Sequence, residues 1–203
     1  MDGTLVDSEK VWDVALNELA ERAGGRLSQP ARHAMIGSSM AGSMRILRED
    51  LGQPDRPEEP DVRWLTARVR ELFAEGLVWR PGALELLRAV RAAGLPTALV
   101  TSTGRRLVEV AMRTLGRENF DAVVVGDEVK MPKPDPEPYL TAARLLGVDI
   151  ADCVAIEDSP TGVASAVAAG AAVLAVPAEL ELPPTDGVHL RRTLEGIDPA
   201  HLA

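Results

Sequence analysis

Along the first third of the chain, apolar residues repeat with a helical period. Trp12, Leu16, Leu19 and Ala23 fall at i, i+4, i+7 and i+11, which predicts one buried helical face. Gly24-Gly25 then ends that helix. Met44, Leu47 and Leu51 predict a second helix stopped by Gly52, and residues 52–60, rich in proline and acid, read as an exposed loop. Trp64, Val69 and Leu72 mark a further helix. Beyond Pro81-Gly82 the texture changes. Leu84, Leu87 and Val90 share a helical face that Gly94-Leu95-Pro96 breaks, and residues 97–100 are a short apolar run between breakers, which predicts a buried strand. Leu107, Val110, Ala111 and Leu115 predict the next helix, followed by a strand at 122–125, a helix at 139–146, a strand at 154–156, a helix at 162–169 and a strand at 172–176. Strands separated by helices imply an α/β fold with a parallel sheet covered on both faces. Such sheets bind ligands at the C-terminal ends of their strands.

Composition narrows the function. Across 203 residues, 46% hydrophobic and 26% charged, the chain can bury a real core as one domain or a domain with a modest insertion. The net charge of −9 repels a phosphate backbone, so nucleic acid is not an expected partner. The same charge repels any anionic substrate, so a phosphate site here needs local donors or a cation. The single cysteine, Cys153, excludes an internal disulfide and a cysteine-rich zinc site, and its apolar neighbours make it read as a buried strand residue. No apolar run is long enough to span a membrane, and Asp2, Asp7 and Glu9 stand where a signal peptide would be basic and then apolar. The expected location is the cytoplasm. Neither Gly-x-Gly-x-x-Gly nor the phosphate-loop lysine pattern occurs, which leaves a nicotinamide enzyme or a phosphate-loop NTPase unsupported.

Four clusters carry candidate chemistry. Asp2-Gly3-Thr4 joins a carboxylate to a turn whose backbone N–H groups can face an anion, although Asp-Gly often marks a turn alone. Thr101-Ser102-Thr103-Gly104 places hydroxyls between a strand and a helix, suited either to a phosphate oxygen or to capping that helix. In Lys133-Pro134-Asp135-Pro136-Glu137-Pro138-Tyr139, alternate prolines stiffen the backbone that aims the Lys133 ammonium, where most surface lysines are merely solvated. Glu157-Asp158 ends a buried strand, where adjacent carboxylates are costly unless compensated. Mg²⁺ would compensate them, since it typically takes one or two carboxylates plus phosphate oxygens. The alternative, Asp158 capping the next helix, leaves Glu157 without a role. Asp127 also follows a strand closely.

Taken in order, these clusters resemble the haloacid dehalogenase superfamily, in its branch of phosphatases and β-phosphoglucomutases. Met1-Asp2-Gly3-Thr4 matches x-Asp-Gly-Thr of the opening motif, Thr101 the second motif, Lys133 to Tyr139 the third, and Glu157-Asp158-Ser159-Pro160-Thr161-Gly162 the fourth. The resemblance implies a three-layer, Rossmann-like core from residues 1–10 and 78–203 and an all-helical cap inserted at 11–77. It also implies a Mg²⁺-dependent phosphatase acting on a small phosphorylated metabolite. Asp2 would be the acid–base residue, its carbonyl also a metal ligand; Thr101, Ser102 and Lys133 would bind the phosphoryl group, and Glu157 and Asp158 would hold the Mg²⁺.

The family's nucleophile is an Asp two residues before the acid–base Asp, which here falls immediately before Met1. Asp2 does not replace it, because two residues of extended chain span about 6–7 Å. The resemblance also implies a central strand before that nucleophile, between the strands at 97 and 154. Its absence would leave those neighbours about 9–10 Å apart. The expectation is a coding frame that continues upstream, through apolar residues ending in Asp; without it the chain is expected to be inactive and poorly folded. Dehalogenases of the superfamily lack the second Asp, so Asp2 disfavours that chemistry. Mutases place an Arg three residues after the cap glycine, where Gly37-Ser38-Ser39-Met40 has Met40, so a phosphatase is preferred over a mutase. A protein that keeps the fold only to bind a phosphorylated ligand is the third class. Trp12 can face substrate, although a large aromatic on a helix is more often core.

Overall fold

A computed structural model describes residues 1–178, 180–182 and 184–201. Short parallel strands alternate with helices over its second half. β1 (Ala98–Val100) pairs with β2 (Ala122–Val124), Leu99 lying opposite Val123. β3 (Val154–Glu157), β4 (Ala172–Ala175) and β5 (Val188–Leu190) form a second parallel ladder, with Ala155 opposite Val173 and Leu174 opposite His189. Among the described residues no strand pairing joins the two ladders. Each of the four predicted strands is present to within one residue at either end. β5 was not predicted: Val188-His189-Leu190 has one polar residue in three and is largely exposed, so no apolar run announces it.

Alternate strand residues supply the two faces. Ala155, Val173 and Ala175 pack with Tyr139, Val163 and Ala166, residues of α7 (Glu137–Leu146) and α8 (Pro160–Ala169). The intervening Leu174 and the half-buried Ile156 pack instead with Ala83 and Leu86 of α5 (Ala83–Ala92). Leu99 turns to the same side, against Leu107 and Ala111 of α6 (Arg105–Leu115). This gives three layers, helix on sheet on helix, as the alternation implies. In α5 the face differs from the one expected: Ala83, Leu86 and Leu87 are buried while Leu84 and Val90 are half-buried. Packing through positions i, i+3 and i+4 rotates the helix by about one residue from the purely leucine-based reading. Cys153 also departs from expectation. It lies just before β3, half-buried, with its thiol donating to the Asp149 carbonyl.

The first part of the chain is helical throughout: α1 (Glu9–Arg22), α2 (Gln29–Met35), α3 (Met40–Asp50) and α4 (Glu58–Ala74). Ala15, Leu16 and Leu19 of α1 share a buried apolar cluster with Leu65, Val69 and Phe73 of α4, and the same cluster continues to Leu107 and Leu115 of α6. The helical segment is therefore welded to one side of the sheet layer. Residues 58–60, read as loop, form the first turn of α4. Glu58, Glu59 and Asp61 suit the positive end of the helix dipole there, and Pro60 needs no N–H partner. α2 has no apolar repeat to reveal it; Ser28 starts it by accepting a hydrogen bond from Ala31 N–H. No helix among the described residues is long and apolar enough to cross a membrane.

Candidate active site

The opening residues form a tight turn, with Gly3 N–H donating to the Val6 carbonyl at 2.9 Å and Leu5 N–H to the Met1 carbonyl at 2.9 Å. Hydrogen bonds from Asp7 N–H to the Val78 carbonyl and from Arg80 N–H to the Leu5 carbonyl tie this turn to the segment leading into α5. It holds Asp2 over the ends of the strands. Three donors converge on the Asp2 carboxylate: Ser8 Oγ at 2.6 Å and Trp12 Nε1 at 3.3 Å reach Oδ1, and Thr103 Oγ1 at 2.7 Å reaches Oδ2. Three fixed donors leave the carboxylate one orientation, facing the cleft it lines.

Thr101 follows β1 directly and is buried, its Oγ1 accepting from Thr103 N–H at 3.2 Å. The capping alternative for Thr101 to Thr103 does not hold. Gly104 is the N-cap of α6 and receives no help from those hydroxyls, whereas Asp127 Oδ1 accepts from Arg105 N–H at 2.9 Å. Asp127 thus serves the helix end, and Thr101 and Ser102 line the cleft.

Lys133 Nζ sits 2.5 Å from Glu157 Oε1, 3.2 Å from the Val100 carbonyl and 3.4 Å from Tyr139 Oη. One ammonium therefore spans the ends of β1 and β3, which belong to different ladders. The Tyr139 hydroxyl donates to the same Glu157 oxygen, and Glu157 Oε2 accepts from Asp158 N–H at 3.2 Å and Ser159 Oγ at 3.5 Å. Burial opposes the charge on Glu157, but the Lys133 ammonium holds its carboxyl below the usual range. Burial and the Glu157 charge push the Tyr139 phenol well above its ordinary range.

Asp158 is differently placed. Burial, and then the neighbouring Glu157 charge, push its carboxyl up to about 7. Thr4 Oγ1 donates to its Oδ1 at 2.5 Å, and Oδ2 has no hydrogen-bond donor among the described residues. The capping alternative fails here too, because Ser159 is the N-cap of α8, its hydroxyl accepting from Gly162 N–H. Gly162 itself must be glycine for room: a Cβ there would lie 2.0 Å from Glu157 Oε2.

No group of three or more His, Cys, Asp or Glu suited to a metal occurs among the described residues. The fit to Mg²⁺ rests on Asp158, a buried carboxylate that lines the cleft and has one oxygen without a hydrogen-bond donor among the described residues. It rests also on the Asp2 carbonyl, which accepts none of the turn's backbone hydrogen bonds. A hard cation that takes one or two protein oxygens and completes its shell with phosphate and water suits that pair. Glu157, expected beside Asp158 as a ligand, has both oxygens engaged, and its nearest cation is Lys133.

The cleft, about 110 Å³, has room for several waters or a small metabolite. Asp2, Thr101, Ser102, Lys133, Glu157 and Asp158 all line it. The helical segment closes it with Trp12, Leu16 and Met40, and Trp12 is half-buried at its wall instead of lost in the core. Thr161 Oγ1 donates to the Gly37 carbonyl at 3.0 Å, and at Gly37, φ +71°, a Cβ would fall 2.7 Å from Thr161 Oγ1, so only glycine allows this approach. Ser8 and Thr103 were missed as site residues. Both stand within the motifs, but Thr103 meets Asp2 across 101 residues, while Ser8 reaches it from six residues away through the opening turn.

A family profile described as haloacid dehalogenase-like hydrolase matches residues 1–170. The chain belongs to that family. It is 34% identical over 193 residues to hexitol phosphatase A of Escherichia coli (strain K12), covering 94% of this chain and 86% of that protein. A phosphorylated carbohydrates phosphatase of Thermotoga maritima is 35% identical over 171 residues, covering 84% and 79% respectively. A crystal structure of a CbbY mutant from Rhodobacter sphaeroides in complex with xylulose-(1,5)bisphosphate superposes with a TM-score of 0.86 at 30% identity, covering 100% of this chain and 96% of that one. The fold is that of the haloacid dehalogenase-like enzymes, and the chain's enzymatic class is phosphoric monoester hydrolase.

Proposed function

We propose that the protein is a Mg²⁺-dependent phosphatase of a small sugar or polyol phosphate, working in the cytoplasm through an aspartyl-phosphate. One observation carries this reading: Asp2, Thr101, Lys133 and Asp158, from four distant stretches, line a single cleft. Thr101 and Ser102 offer hydroxyl donors to the phosphoryl oxygens. Lys133 adds a buried positive charge, held in place by Glu157 and the Val100 carbonyl. Asp158 and the Asp2 carbonyl would hold Mg²⁺, which when bound supplies charge stabilisation for phosphoryl transfer.

In the first step a carboxylate attacks phosphorus and the P–O bond to the sugar breaks, while Asp2 gives its proton to the departing oxygen. In the second, Asp2 takes a proton from a water that attacks the acyl phosphate, releasing inorganic phosphate, freeing the attacking carboxylate and returning Asp2 to its protonated form. The attacking carboxylate belongs, on this reading, to the residue directly before Met1 in a form of the chain that continues upstream. A strand leading to it would also pair with the two ladders. The helical segment 11–77 acts as a cap over residues 1–10 and 78–203.

Met40, not an arginine, follows Gly37 at the cleft, which favours hydrolysis over mutase chemistry on a doubly phosphorylated sugar. The test is Mg²⁺-dependent hydrolysis of p-nitrophenyl phosphate by this chain and by a form extended upstream. Turnover confined to the extended form supports the mechanism. Equal turnover by both contradicts the assignment of the nucleophile, and silence in both favours a protein that only binds a phosphorylated ligand.

A further inference from the structure

A second, smaller cavity of about 90 Å³ lies near the end of β4, lined by Thr4, Arg80, Val176, Arg192, Thr193 and Leu194. None of these residues lines the cleft. A close approach of two distant segments builds it. At Gly82, φ +77°, a Cβ would lie 2.2 Å from the Glu195 nitrogen, so only glycine lets the turn before α5 press on the segment after β5. Thr193 Oγ1 donates across the same contact to the Pro81 carbonyl at 3.3 Å. Half-buried Arg80 and exposed Arg192 thereby come to one cavity.

The charge there runs against that of the chain. The protein carries a net −9, yet this cavity has two arginines and no acidic residue in its lining. Arg56, Arg68, Arg91 and Arg105 each hold a carboxylate. The guanidinium groups of Arg80 and Arg192 have no hydrogen-bond or ion-pair partner among the described residues. Glu195 reaches Thr193 Oγ1 at 3.4 Å and neither arginine. The backbone N–H groups of Arg192 and Thr193 also donate to nothing among the described residues. Two like charges on one cavity repel until an anion lies between them, and each planar fork of N–H donors matches the oxygens of a phosphate.

We propose that Arg80 and Arg192 form a second oxyanion site, separate from the cleft, that takes a free tetrahedral anion of the phosphate type. The walls favour a free ion over an ester. The Thr4 hydroxyl is committed to Asp158 and the Thr193 hydroxyl to Pro81, and Val176 and Leu194 are apolar, so nothing remains to read an alcohol part. Through Thr4 the site lies one side chain from Asp158. Unlike the cleft, it needs no metal.

The experiment is calorimetric titration of this chain with inorganic phosphate in the presence of EDTA. Saturable binding is expected. Arg80→Gln combined with Arg192→Gln should weaken it at least about tenfold, the loss of one charge-assisted hydrogen bond or more. Arg80→Lys combined with Arg192→Lys, which keeps both charges but not the forks, should also weaken it. Thr101→Val should leave it unchanged, and glycerol 2-phosphate should bind more weakly than phosphate. No binding by the unaltered chain, unchanged binding in either folded double variant, or loss of binding in Thr101→Val overturns the inference. Equal or tighter binding of glycerol 2-phosphate by the arginine-dependent site overturns the choice of a free ion. Because the two sites share no residue, each of these results leaves the phosphatase reading standing.

Discussion

Replacing Lys133 with methionine removes the ammonium while keeping most of the side chain's volume. Lys133 and Glu157 are 7% and 5% exposed at the side chain, so the Glu157 charge would be left buried beside Asp158, with a tyrosine hydroxyl, a serine hydroxyl and one backbone N–H as donors. Breaking a buried ion pair by removing one partner costs about 3–5 kcal/mol. For a chain of this size, at about 2–4 °C per kcal/mol, that is a fall in Tm of roughly 6–20 °C. The pH dependence has a definite sign. In the unaltered protein the Glu157 pKa is depressed, so its contribution to stability is present above the ordinary carboxylate pKa and lost as the pH falls through the depressed value. Without Lys133, burial and Asp158 would raise that pKa, and the penalty would apply at pH 7 and fade on acidification. Thermal unfolding followed by circular dichroism at pH 7 and pH 5 tests this. The gap between Lys133→Met and the unaltered protein should narrow at pH 5, and Lys133→Met combined with Glu157→Gln should recover most of the loss at pH 7. A single variant within about 1 kcal/mol of the unaltered protein, or no recovery in the double variant, would refute the reasoning; the first is the size of a surface pair.

Gly162→Ala tests the crowding around Glu157. In an ordinary helix position the change stabilises by about 1 kcal/mol, but here the new Cβ would lie 2.0 Å from a held carboxylate oxygen, so overpacking should win by about 1–3 kcal/mol and lower Tm; a higher Tm would contradict it. Mg²⁺ should raise Tm more at pH 8 than at pH 6. The raised Asp158 pKa of about 7 costs the metal-free fold stability as the pH rises through it, and a bound cation relieves that cost. Asp158→Asn should abolish the pH-dependent part of the shift, and an equal shift in that variant would show the metal bound elsewhere.

Much of the α/β layer was legible because its strands are short apolar runs between breakers, and because the residues that alternate across them pack into apolar clusters on both faces, as with the buried Ala155 and the half-buried Ile156. The site was legible as clusters near strand ends: Thr101 directly follows β1, Glu157 is the last residue of β3 with Asp158 next to it, and Lys133 lies in the proline-stiffened loop before α7. Local pattern did not reach β5 or α2. The first is held by pairing with β4 and the second by a cap, and neither leaves an apolar period. It also could not divide the labour between Glu157 and Asp158. Adjacent in sequence, they point to opposite partners, Lys133 and Tyr139 for one and Thr4 for the other, and only the fold brings Thr4 across 154 residues. The cavity of Arg80 and Arg192 was hidden for the same reason, because the segment after β5 meets the turn before α5 only in the fold.

The central claim is that one cleft holds a phosphoryl group against a cation. A crystal structure of the protein with Mg²⁺ and inorganic phosphate tests it most directly. The account predicts phosphate oxygens within about 3 Å of Thr101 Oγ1 and Lys133 Nζ, with the cation on an Asp158 oxygen. Phosphate bound only outside the cleft, or a cation held by Glu157 with Asp158 turned away, would contradict it.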